Sequence, residues 1–271
     1  METNQILITG ATGLLGTELR RILGSKDVFL SSRNPPVSGG DKWRAMDLFA
    51  KKGFQNALRG IDTVINLASA TKGGYDRNVD VEGSAEFLKV SRESGVKHFI
   101  HVSIVGIDRV PMDYYRIKLE AEQVLKESGV PHSILRATQF HDFIEFLLQK
   151  FTSLPVALIA GGAKFQPVET AAVARLLKEM AQAEAKNRTV EIGGPEIYDL
   201  SYLAKTWLEA KKEKKWTLNL PLFLTGKLGR SLAAGGLLTS SRSVDSITWE
   251  DYLKRKYGFS YAFSETEKSA L

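Results

Sequence analysis

The run "QILIT" at Gln5–Thr9 passes directly into "GATGLLG", with glycines at 10, 13 and 16. These residues restrict the chain more than any others. An apolar run ending in glycine reads as a buried strand that turns sharply into a helix. Glycine at such a turn lets the backbone approach another group closely, and glycine within the first helical turn lets helix and strand pack tightly. The free N–H groups opening the helix face negative charge. The spacing differs from the commoner dinucleotide fingerprint, whose first two glycines lie two apart, but the physical demands are the same. Placed after a strand at the head of a βαβ unit, the motif predicts a bound diphosphate, with Gly10, Thr12, Gly13, Leu14, Leu15 and Gly16 as cofactor-binding residues. A plain structural turn explains Gly10 and Gly13 nearly as well.

The chain beyond this helix keeps the same rhythm. "VFLSS", "WRAMDL", "TVINLAS", "HFIHVS" and "HSILRA" are strand-like, and helical patterns lie between them. Short β-rich runs alternating with helical periodicity predict a parallel sheet with right-handed crossovers, an α/β doubly wound layer. Beyond about Phe140 the alternation loosens. The expected organisation is a nucleotide-binding core over 1–140 and a C-terminal part over 141–271 that completes the sheet and forms a lid, the two making a single structural unit. "DLSYLAKTWLEA" predicts a helix with Ser201 as N-cap, and "WEDYLKRKYG" a last helix ending at Gly258.

Composition narrows the function classes. The chain has 271 residues, a net charge of +6 and no cysteine, which excludes disulfides, thiolate metal sites and cysteine nucleophiles. Basic residues are interleaved with acids, as in "EAKKEKKW", so an anionic small molecule accounts for the surplus better than nucleic acid. No apolar run approaches the ~20 residues needed to cross a bilayer. A strand beginning at Gln5 predicts no leader, and the expected compartment is cytoplasmic. The four histidines show no metal-ligand spacing.

The end of the second strand selects the cofactor. "LSSRNPP" offers Arg33 and no acid. A permanently charged, planar guanidinium suits a 2′-phosphate, so NADP(H) is favoured over NAD(H); a plain surface arginine is the bland alternative. Asp47 and Leu48 close the third strand, where the carboxylate is placed to accept from an adenine amino group. Leu67, Ala68 and Ser69 close the fourth, small enough for the backbone to line a cofactor.

In order and spacing, "GATGLLG", "SSR", "MDL", "VINLAS", "NVDVEGSAEFL", "GVKHFIHVSIVGID", "YYRIKLEAE" and "GVPHSILRATQF" resemble the atypical short-chain dehydrogenases, most of all their NmrA-like, NAD(P)H-binding branch. The resemblance covers nearly the whole chain. It implies a seven-stranded Rossmann sheet with a small mixed C-terminal part, and Ser103, Tyr114 and Lys118 as catalytic residues. Ser103 and Tyr114 lie eleven positions apart, closer than in the well-characterised reductases of this group. Ala172 stands where these relatives tend to carry an aspartate.

Tyr114 and Lys118 lie about one helical turn apart. The apolar stripe of their helix is Ile117, Ala121, Val124 and Leu125, with Tyr114 at its edge and Lys118 beside it. A snorkelling lysine and a tyrosine capping the core form the bland reading. In the functional reading, the ammonium, alongside cationic nicotinamide in the oxidised complex, lowers the phenol's pKa and holds the nicotinamide ribose, and Tyr114 protonates a carbonyl oxygen with Ser103 donating to the same oxygen. Thr138, Gln139 and Phe140 are candidates for the substrate pocket; His141 reads as structural. The leading expectation is an NADPH-dependent oxidoreductase of a small carbonyl or quinone-like molecule. Its rival is a non-catalytic redox sensor with a protein partner, and a sugar-nucleotide epimerase ranks last.

Overall fold

The computed structural model describes residues 4–36, 40, 42–70, 75–153, 156–222, 226–241 and 247–258. The first half runs β1 (Ile6–Thr9), α1 (Leu14–Leu23), β2 (Val28–Ser32), β3 (Trp43–Ala45), α2 (Phe54–Leu58) and β4 (Thr63–Asn66). A π-helical turn (Asn78–Gly83) then leads straight into α3 (Ser84–Glu93), followed by β5 (His98–Ile104), α4 (Asp113–Glu127) and β6 (His132–Ala137). The remainder is α5 (His141–Phe151), β7 (Val156–Gly161), β8 (Lys164–Phe165), α6 (Thr170–Gln182), β9 (Arg188–Ile192) and β10 (Tyr198–Asp199), then α7 (Leu200–Ala210), β11 (Trp216–Pro221), α8 (Gly226–Ala233) and α9 (Trp249–Tyr257).

These elements form two compact units, each assembled from separated segments. The first takes Met1–Ile104, Asp113–Arg136 and Thr170–Val190; the second takes Val105–Met112, Ala137–Glu169 and Glu191–Leu271.

The first unit is built on a seven-stranded sheet in the order β3-β2-β1-β4-β5-β6-β9. β1 pairs in parallel with β2 on one side and β4 on the other. The chain therefore reverses direction across the sheet between β1 and β4, and open α/β sheets bind ligands at the carboxyl ends of strands beside such a switch point. β1 and β4 are buried along their whole length, as their continuous apolar sequence requires. On one face Leu7, Val64, Phe99 and Ile134 pack with Leu58, Phe87, Leu88 and Leu125 from α2, α3 and α4. Each such side chain contributes about 1.5–3 kcal/mol by leaving water. Elsewhere in this unit α6 lies along α1.

α4 departs from its apolar stripe. Its buried residues are Tyr115, Lys118, Ala121, Glu122 and Leu125, while Ile117 and Val124 are only half-buried. The helix is turned so that two charged residues face inward, because each finds an opposite charge there. Lys118 meets Asp80 and Glu122 meets Arg136.

The second unit holds two small sheets, β7 with β11 in parallel and β8 with β10 antiparallel. α7 starts two residues earlier than its sequence signal. Asp199, not Ser201, is the N-cap, and its carboxylate accepts the Ser201 N–H at 2.7 Å. A carboxylate is the stronger acceptor at a helix start and also suits the helix dipole. α9 begins with a Thr248–Asp251 capping box and ends at Gly258 in the left-handed region. Among the described residues no helix is long and apolar enough to cross a membrane.

Candidate active site

The glycine loop leaves β1 at the switch point. Gly10 has φ 63°, and a Cβ there would lie 2.9 Å from the Ala68 nitrogen, so this glycine lets β1 run against the strand end of β4. That strand end is fixed from beneath. The Thr9 hydroxyl accepts the N–H groups of Leu67 and Ala68, at 3.2 Å each, and donates to Asn66 Oδ1 at 2.6 Å. Gly16 sits on the Gly10 carbonyl, where a Cβ would come within 2.5 Å of the oxygen. α1 starts at Gly13 without a side-chain cap and without an acid in its first turn. Thr12 and Leu14 are exposed at this edge, while Leu15 turns into the core. Close-packed glycines below a helix start that no side chain satisfies make a cradle fitting a diphosphate.

At the end of β2 the hydroxyls of Ser31 and Ser32 have no hydrogen-bond partner among the described residues, and Arg33 follows them, exposed. Such a group of donors fits a ribose phosphate. At Asp47 one carboxylate oxygen serves the backbone. It accepts the N–H groups of Phe49 and Ala50, at 2.9 and 3.3 Å, closing the turn that bridges Asp47 to Lys52. Leu48 is buried in the core, and its carbonyl is the floor on which Gly83 of the π turn rests: a Cβ at Gly83 would lie 2.2 Å from that oxygen.

The serine, tyrosine and lysine sit on β5 and α4. Ser103 is 3% exposed, and its hydroxyl has no partner among the described residues. Tyr114 is half-buried, stacked on Tyr75 with ring centroids 4.1 Å apart, and its hydroxyl lies 3.3 Å from Ser69 Oγ. Lys118 does not snorkel. Its ammonium is enclosed between Asp80 Oδ1 at 3.8 Å, the Val102 carbonyl at 3.3 Å and His101 Nε2 at 3.4 Å. Burial lowers its pKa, against the pull of Asp80 and Glu122. Burial, with Lys118 alongside, also holds His101 well below its ordinary value.

The lowering of the Tyr114 pKa is expected of the oxidised complex; among the protein's own groups the direction is upward. Burial raises it, and the nearby charge of Asp80 and the ring of Tyr75 push the same way, against the Ser69 contact. The physical reason is first the burial of the phenol, to which the charge of Asp80 adds.

The sequence reading passed over Asp80 and Tyr75. The signal available for Asp80 was an acid between two valines in "NVDVEG", 2% exposed in the structure, because an acid in an apolar segment implies a buried partner. Tyr75 carried no comparable signal.

The remaining candidates lie in the second unit. Thr138 donates its hydroxyl to the Gln166 carbonyl at 2.6 Å. Gln139 is buried with both amide atoms unpartnered. Phe140 is the N-cap of α5 and bridges to Val168. His141 is 1% exposed, 3.3 Å from Glu169 and stacked on Tyr252.

Comparison with known proteins agrees with the cradle. Quinone oxidoreductase 2 of Escherichia coli is 23% identical over 215 residues, covering 73% of this chain and 72% of that protein. A divinyl chlorophyllide a 8-vinyl-reductase of Cucumis sativus is 25% identical across 72% of this chain but only 53% of its own length. Two solved structures share the fold. A nucleoside-diphosphate-sugar epimerase of Staphylococcus aureus has a TM-score of 0.73 at 18% identity, covering 93% of this chain and all of that one. The NADPH-dependent quinone oxidoreductase of E. coli, complexed with NADPH, has a TM-score of 0.69 at 20% identity, covering 97% and 98%. Residues 10–184, from the first glycine of the loop to just past α6, match the NAD(P)H-binding family, and the chain belongs to that family; its homologues are of the NmrA-like, atypical short-chain dehydrogenase type.

Proposed function

We propose that the protein is an NADPH-dependent reductase of a small carbonyl or quinone-like compound. The observation that carries this reading is Ser103. A buried hydroxyl without a partner is rare in a folded protein and calls for a ligand atom, and this one lies on the strand preceding the helix of Tyr114. In this reading Ser103 donates a hydrogen bond to the substrate oxygen and Tyr114 gives that oxygen its proton. Both groups are neutral donors at neutral pH, as a reduction requires. The cradle of Gly10, Gly13 and Gly16 holds the diphosphate, and Leu67, Ala68 and Ser69 line the cofactor. Ser31, Ser32 and Arg33 hold the 2′-phosphate, which is the basis for NADPH over NADH. Bound NADPH supplies the hydride. The likeness to E. coli quinone oxidoreductase 2 supports the substrate class.

A cofactor sensor without turnover is the second reading, favoured by the short Ser103–Tyr114 spacing. The separating experiment is Tyr114→Phe, with NADPH binding followed by calorimetry and turnover by a panel of aldehydes, ketones and quinones. The reductase reading expects affinity within about threefold of the parent and turnover reduced by about a hundredfold or more. Equal turnover in the variant, or none in the parent on any of these compounds, overturns it.

A further inference from the structure

Asp80, 2% exposed, is a buried charge that the reductase reading leaves without a task. It projects from the π-helical turn and touches the surroundings of Tyr114 at three points. Oδ1 accepts the Ser69 hydroxyl at 2.6 Å, Oδ2 accepts the Ala70 N–H at 3.1 Å, and Lys118 Nζ stands 3.8 Å from Oδ1. In that ion pair the side chains of Lys118 and Asp80 are only 4% and 1% exposed.

The direction of the hydrogen bonds comes from counting protons. A serine hydroxyl has one. At Ser69 that proton goes to the carboxylate, the shorter and charge-assisted contact. At the 3.3 Å contact between Ser69 Oγ and the Tyr114 hydroxyl, the tyrosine is therefore the donor. A phenolate in the same place would meet a lone pair of Ser69, and it becomes tolerable only when Ser69 turns away from Asp80. The opposing influence of Ser69 on the phenol requires Ser69 to donate, and its proton is already engaged.

The other groups around Tyr114 do not reverse this. Tyr75 acts in the same upward direction, and Tyr115 on the same helix is itself raised by burial. Lys118, from α4, has the carboxylates of Asp80 and Glu122 acting on it. His101, from β5, is held neutral.

We propose that Asp80, acting through Ser69 and by offsetting the charge of Lys118, is a positioning residue that keeps Tyr114 a proton donor and biases the site toward reduction over alcohol oxidation. The bias toward reduction rests on the reductase reading; the protonation of Tyr114 does not.

The test is ionisation of Tyr114 in the cofactor-free protein, read from near-ultraviolet phenolate absorbance as the difference between each protein and its Tyr114→Phe counterpart. In Asp80→Asn one amide oxygen cannot serve both Ser69 and Ala70, so Ser69 is released to donate to the phenol. The midpoint is expected to fall by about one pH unit or more. Asp80→Asn alone leaves Lys118 a lone buried cation, which endangers folding. The neutral pair Asp80→Asn with Lys118→Met removes both charges together, and a smaller fall is expected, the part that comes from releasing Ser69 alone. A midpoint that stays or rises in the folded variants overturns the proposal. Loss of turnover in Tyr114→Phe is a separate outcome, so either reading can fail alone.

Discussion

Glu122 and Arg136 meet in parallel, the guanidinium donating to the two carboxylate oxygens at 2.9 and 2.8 Å, with the glutamate completely buried. This pair ties α4, the helix of Tyr114 and Lys118, to β6 through charge. Removing one partner strands the other in the interior. Glu122→Ala is expected to lower stability by about 3–5 kcal/mol, measured by urea unfolding. Replacing both residues by methionine should restore most of the loss. A cost below about 1 kcal/mol for Glu122→Ala would show that water reaches this pair.

Arg33 stands exposed beside the unpartnered hydroxyls of Ser31 and Ser32. If it holds a 2′-phosphate, Arg33→Asp replaces a charge-assisted bond with repulsion. NADPH affinity should fall by about tenfold or more, while NADH, lacking that phosphate, changes by less than about threefold. Calorimetry with both cofactors decides, and an equal loss would remove the phosphate assignment.

Gly16 leaves no room for a methyl group, since the intruding atom would be the backbone oxygen of Gly10. In Gly16→Ala the start of α1 must shift. We expect about 1–3 kcal/mol of lost stability together with weaker binding of both cofactors. Unchanged binding of NADPH would place the diphosphate elsewhere.

Glu145 predicts a pH dependence in the second unit. Burial pushes its carboxyl up, but bonds from Lys256, Tyr252, Tyr257 and Trp207 prevail and hold it below its ordinary value. Its contribution is therefore present above the ordinary carboxyl range and lost as acid lowers the pH through the folded value. The phenols have the opposite sign. Burial and the bond to Glu145 raise Tyr252, and burial first, then Glu145, pushes Tyr257 up to about 12. Their contribution is complete below the ordinary phenol value near 10 and declines as the pH rises beyond it. The urea midpoint should fall below about pH 4 and above about pH 10, and Glu145→Gln should flatten both limbs. Unaltered limbs would assign the dependence to other groups.

Much of the first unit was legible because its signals are local. "QILIT" before "GATGLLG" specifies a strand, a turn and a helix within a dozen residues, and the alternation after it leaves few topologies. The Tyr114–Lys118 spacing was equally plain. What the chain hid depends on partners distant in sequence. Periodicity assigns a lysine or glutamate to the wet side of a helix, so it could not turn Lys118 and Glu122 inward without knowing of Asp80 and Arg136. The cap of α7 was misplaced by two residues because aspartate and serine both suit that position, and only the backbone shows where the first turn begins.

The π turn at Asn78–Gly83 has a consequence for how this chain can change over time. A wider turn holds one residue more than an α-helix of the same rise, and each residue rotates a helix by about 100°. Asp80 lies inside this widened stretch, ahead of the buried face of α3 that carries Phe87 and Leu88. Losing a single residue between Asp80 and Ser84 would relax the segment into a tidier helix and swing the carboxylate about a quarter of the way round. The irregularity thus acts as a spacer, and shortening it would disconnect Asp80 from Ser69 and Lys118 together while the remainder of the sheet stayed as it is.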